Sequence, residues 1–194
     1  MRHTLIILFF SFVLQSVAAQ SGDQVFEFLT LPSSARANAL GGHTVSLVER
    51  DPSLIFHNPA LLGGEMDGMI NLDYMNYIAD VNVGSALFTK AFRERGAWGA
   101  GVHYFHNGKF KGMDENNQST GDFTASDIAV NGFFSYDLSE RWRGGVSMKF
   151  LYSNYDIYTS LGVCFDAGLS YFISEKECSL GVVLKNIGAR LKPD

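Results

Sequence analysis

Between Trp142 and Ser153 the chain reads WRGGVSMKFLYS, and its two interleaved halves differ in chemistry. Trp142, Gly144, Val146, Met148, Phe150 and Tyr152 form one set; Arg143, Gly145, Ser147, Lys149, Leu151 and Ser153 form the other. Successive side chains of a strand point to opposite faces, so this period of two specifies a strand with one apolar and one polar, glycine-rich face. The same split recurs outward in both directions. Ile128, Val130, Gly132, Phe134 and Tyr136 alternate with Ala129, Asn131, Phe133 and Ser135, and Trp98, Ala100, Val102 and Tyr104 alternate with Gly99, Gly101 and His103. Leu161, Val163, Phe165, Ala167, Leu169 and Tyr171 oppose Gly162, Cys164, Asp166, Gly168 and Ser170, while Leu180, Val182 and Leu184 face away from Gly181 and Lys185. Two weaker runs, about 68–78 and 80–90, complete a set of seven strands. The class is all-β.

A soluble antiparallel sheet with one core face and one wet face alternates identically, so period alone does not choose its environment. Length and aromatic placement do. Most runs approach the roughly 9 to 11 residues of a membrane strand and exceed the roughly 5 to 6 of a sandwich strand. Trp98, Tyr104, Tyr136, Trp142, Tyr152 and Tyr171 sit near strand ends on the apolar face, where a membrane barrel carries its interfacial girdles. The expectation is an antiparallel outer-membrane β-barrel in which Val146 faces lipid and Ser147 the lumen. Short charged connections at 91–96, 137–141 and 174–177 are expected on the periplasmic side, and the polar stretch 107–127 is expected to be a long outer loop.

The N-terminus agrees with that destination. Arg2 and His3 precede the apolar run LIILFFSFV at 5–13, and small residues at Ala18 and Ala19 permit cleavage there, so residues 1–19 read as a secretory signal peptide. The run is too short for a spanning helix, which needs about 20 apolar residues. Residues 20–64 differ from all that follows: they hold Pro32, Pro52 and Pro59, and Ser34 to Leu40 reads as a short helix closed by Gly41 and Gly42. This segment is a part-helical cap; residues 65–194 carry the strands. With 15 basic and 20 acidic residues the net charge is -5, which argues against a nucleic-acid-binding surface.

Catalytic and cofactor patterns are absent from the sequence, and the reading is of a chain that is not an enzyme. Cys164 and Cys178 stand at opposite ends of neighbouring strands and are expected not to pair. His103 and His106, three apart on a strand, point to opposite faces and do not share a metal. Asp114, Glu115 and Asp122 lack the spacing of a calcium loop. No glycine cluster opens a helix to cradle phosphate.

The order of short motifs is more specific than any of them alone. Val25 to Arg36 (VFEFLTLPSSAR) is followed by Ala39-Leu40-Gly41-Gly42, then Asn58-Pro59-Ala60, then LDYMNYIAD at 72–80, GMDEN at 112–116, TGDFTASD at 120–127 and Lys185-Asn186-Ile187-Gly188. This series resembles the PorV/PorQ family, and within it the PorQ type, outer-membrane components of the type IX secretion system of Bacteroidetes and distant relatives of the FadL-type barrels. The resemblance implies a FadL-like barrel of about fourteen strands with Arg36, Ala39, Leu40, Gly41, Gly42, Asn58, Pro59 and Ala60 as structural motif residues. It also implies a non-enzymatic role without cofactors: anchoring PorZ, with PorU and PorV, in the attachment complex that links exported cargo to lipopolysaccharide. Seven strands are about half of the number implied, so the chain reads as the N-terminal half of such a barrel, a truncated form. The alternative is a FadL-like transporter of hydrophobic small molecules, against which the polar inner set Asn131, Arg143, Ser147, Lys149, Asp166 and Ser170 speaks.

Overall fold

The computed structural model describes residues 26–31, 34–42, 44–76, 81–113, 119–155 and 158–192. The signal-peptide segment lies outside them, as do Asp114 and Glu115. Within them the chain divides into a cap of short helical turns and one sheet. Seven strands, β1 (Met69–Asn76), β2 (Asn82–Phe92), β3 (Gly96–Met113), β4 (Ser119–Asp137), β5 (Trp142–Tyr155), β6 (Tyr158–Ile173) and β7 (Cys178–Lys192), follow one another in a meander, each antiparallel to the next. The sheet is open among the described residues, with β1 and β7 at its edges. From β3 onward the strands are 14 to 19 residues long, well beyond the common strand length of about 5 to 6.

The cap is built by side chains that take up free backbone N–H groups at each turn. Ser34 caps α1 (Ala35–Ala39) by accepting from the Ala37 N–H at 3.1 Å. Gly41 and Gly42 end it in the left-handed region (φ 97° and 86°), where the Gly42 N–H donates to the Ala37 carbonyl at 2.8 Å. Asp51 and Asn58 then start 3-10 turns at Pro52–Phe56 and Pro59–Leu61, each with proline at the first helical position. A third turn, Gly64–Met66, leads into β1.

These turns lie on the polar, glycine-rich face of the sheet and bury it. Leu54, Ile55, Phe56, Leu61, Leu62 and Met66 of the cap form one cluster with Leu87, Ala97 and Phe133 of the sheet. Phe28 joins a second cluster with Met75, Val83, Phe105, Ala129, Leu151 and Cys164. Among the described residues, no element of the cap lies on the sheet's other face. Both cysteines are free: Cys164 is buried and lies opposite Gly188, while Cys178 is exposed at the far end, opposite Ile173.

One expectation is corrected. The stretch 107–127 is mostly a continuation of the β3–β4 hairpin, paired from Lys109↔Thr124 to Met113↔Ser119 after a register shift beside Gly108, whose φ is 78°. Alternation fades there while the backbone ladder continues, and an Asn-Gly pair that reads as a turn signal serves a bulge instead. The shorter connections, 93–95, 138–141 and 174–177, are tight, as their length requires.

Candidate functional site

Two surfaces carry the chemistry of the molecule, and they are the two faces of one sheet. On β5 the burial follows the sequence alternation, but inverted relative to a soluble protein. Val146 and Phe150 are 54% and 53% exposed, whereas Ser147 and Lys149 are 3% and 4% exposed. Across the sheet the exposed set continues through Val102, Tyr104, Val130, Phe134, Tyr136, Leu161, Phe165, Leu169, Leu180, Val182 and Leu184. A belt of this extent far exceeds the few hundred Å² of contiguous apolar surface that a monomeric soluble protein tolerates.

The belt has aromatic margins. Toward the end where the β3–β4 hairpin extends, one cross-strand row runs Tyr74–Gly84–Tyr104–Ile128–Tyr152–Leu161. Toward the short-turn end lie Trp98 beside Phe88 and Trp142 against Tyr171, with ring centroids 5.8 and 4.7 Å apart. Trp142 and Tyr152 are ten residues apart, about 33 Å along an extended strand. At the tilt of roughly 40° usual for barrel strands this spans about 25 Å, the height of the apolar band of an outer-membrane barrel.

The inner face is where the sequence motifs act. Asn58 is wholly buried; its Oδ1 accepts from the Ala60 N–H at 2.9 Å and its Nδ2 donates to the Val45 carbonyl at 2.7 Å. Asn58-Pro59-Ala60 rests directly on Gly145 of β5 and Gly168 of β6, where a Cβ would meet Pro59 and Ala60 backbone and the Asn58 amide. The alternation of glycine with polar residues on this face is therefore a seat for the cap. Arg36 pairs with Glu49 and with Asp51, the latter at 3.0 Å, joining α1 to the turn that precedes the Asn-Pro-Ala segment. Ala39, Leu40 and Gly41 are exposed, while Gly42 is buried. Further ties come from Ser135, whose Oγ donates to the Leu62 carbonyl at 2.7 Å, and from Arg143, which bridges Asp137 of β4 and Glu65 of the cap.

No family model matches the chain, and no curated protein matches it.

Farther along the inner face sits a charged cluster. Asp166 lies 2.7 Å from the Lys149 ammonium, accepts from the Ser147 hydroxyl at 2.9 Å and from the Asn186 N–H at 2.8 Å. Lys149 also donates to Asn186 Oδ1 at 2.8 Å. Parity placed Asn131, Arg143, Ser147, Lys149, Asp166 and Ser170 inside; Arg143 is half-buried and the other five are buried. It did not place Asn186. A register shift between Phe165 and Ala167 bulges β7, with Asn186 at φ 57°, so that Lys185 and Asn186 both turn inward. The trace of this in the sequence is an asparagine, which accepts the left-handed region more readily than most residues. Among the described residues no group of three or more His, Cys, Asp or Glu stands in metal-binding geometry.

Proposed function

We propose that the chain forms one wall of an outer-membrane β-barrel whose lumen side is stoppered by the cap, and that it serves as a non-enzymatic PorQ-type component of the type IX secretion machinery, holding PorZ at the cell surface. The observation that carries the membrane reading is the inversion: long strands expose their apolar side chains and bury serine, asparagine, lysine and aspartate. Only a surrounding medium as apolar as Val146 and Phe150 makes that arrangement favourable. The family reading rests on the ordered motif series, in which Asn58-Pro59-Ala60 and Gly41-Gly42 occupy structural positions at the cap. The alternative, a conduit for hydrophobic small molecules, has the packed cap and the charged inner face against it.

The deciding experiment compares arginine substitutions on one face. Val146→Arg and Phe150→Arg, at mid-belt, are each expected to cost roughly 2 to 4 kcal/mol of insertion and to deplete the protein from the outer-membrane fraction. Leu138→Arg, in an exposed turn outside the belt, is expected to be silent. In a soluble sheet all three are exposed positions with effects within about 0.5 kcal/mol, so equal recovery of the three variants rejects the membrane reading. The secretion role is tested separately. Loss of the gene should release PorZ from the cell surface, and reintroducing the gene should retain it there; PorZ held equally well without the gene rejects the role.

A further inference from the structure

At the β7 bulge a second ammonium, that of Lys185, lies on the inner face beside Lys149. Lys149 has Asp166 and Asn186 as partners, whereas Lys185 is half-buried and has none among the described residues. Next to them the His103 ring, 7% exposed, lies over Phe56 with centroids 3.8 Å apart, and its Nε2 has no hydrogen-bond partner. These groups line a cavity of about 20 Å³ that also touches Asn131, whose Nδ2 donates to the Ala129 carbonyl at 3.1 Å. Two lysines against one aspartate leave one positive charge in excess. An ammonium half withdrawn from water without a counter-charge is unfavourable, and a neutral water would leave the excess charge unbalanced.

We propose that this cavity is a binding site for a single monatomic anion, chloride in the cell, held between the Lys185 ammonium and the Nε2–H of His103. The volume selects the class: it admits one guest of about water size, which excludes phosphate and organic carboxylates. The donors face it from the cap-side ring of β3 and from the bulge of β7, two elements that share no backbone pairing. The bound ion therefore links the far edge of the sheet to its middle and supplies the charge that Asp166, occupied by Lys149, does not.

The test uses the full 194-residue chain, folded in detergent, with bromide as the probe. An anomalous bromide peak between Lys185 Nζ and His103 Nε2 is expected in the unmodified protein, and its absence overturns the proposal. In solution, replacing gluconate by chloride at constant ionic strength should raise the unfolding midpoint saturably, by about 3–6 °C at ten times the dissociation constant. Lys185→Met should abolish that rise. A rise that does not saturate, or that persists in Lys185→Met, overturns the proposal; should that variant not fold, the bromide experiment on the unmodified chain decides alone.

Discussion

Asn58 commits both ends of its amide to backbone groups of the cap, which makes it the residue whose chemistry is least replaceable there. Asn58→Ala removes one buried and one part-buried hydrogen bond and strands the Val45 carbonyl, an expected loss of about 2 to 3 kcal/mol read from the thermal midpoint of the folded protein. Asn58→Asp keeps the acceptor for Ala60 N–H but sets an oxygen against the Val45 carbonyl, so it should be no better tolerated than alanine. The glycines beneath give a paired test. At Gly145 a methyl group would meet backbone of Pro59 and Ala60, whereas at Gly132, on the outward face, it meets nothing within 4 Å. Gly145→Ala should cost about 1 to 3 kcal/mol through overpacking, and Gly132→Ala should be neutral or slightly stabilising. Ser147 teaches the limit of parity: its direction toward the polar face was legible, but such a position tolerates arginine only where water reaches it. Here the hydroxyl is buried and bonded to Asp166, so Ser147→Arg is expected to damage the fold as well.

Strands β5, β6 and β7 are held on their inner side by the Lys149–Asp166 pair, which touches all three. Lys149→Met removes the ammonium that bonds Asp166 directly and leaves Asn186 Oδ1 without its donor, so it is expected to cost about 2 to 4 kcal/mol, part of the charge being balanced by Lys185 nearby. Combining it with Asp166→Asn removes both charges while keeping groups able to bond Ser147 and Asn186; the double variant should recover part of the loss in a double-mutant cycle. Strict additivity would show that the pair is not coupled. At this scale the strands with clean alternation were readable because one face met apolar surroundings and the other did not. The β3–β4 extension was not, since beyond His106 a pattern of two chemistries gives way to polar residues and only backbone pairing remains. The bulge at Asn186 was equally hidden, because one inserted residue shifts every later side chain to the other face.

For the molecule as a whole, the sequence conveyed an antiparallel all-β body with a distinct cap, and the alternation alone left open which face was buried. The answer came from the cap, whose 3-10 turns have no periodic signature yet cover the polar face and leave the apolar one outward. Heating should report the same arrangement. If the folded protein is a barrel wall in detergent, its electrophoretic mobility before boiling should differ from that after boiling, and identical mobilities would argue against a stable β-structure of this kind. Strand count has a directional consequence. In a seven-strand meander the first and last strands ascend together, so β1 and β7, the edges of the sheet among the described residues, have the same polarity. Two such sheets related by an axis running along the strands would meet only through parallel seams, β7 of one copy against β1 of the other. A ring in which every seam is antiparallel requires an odd number of further strands.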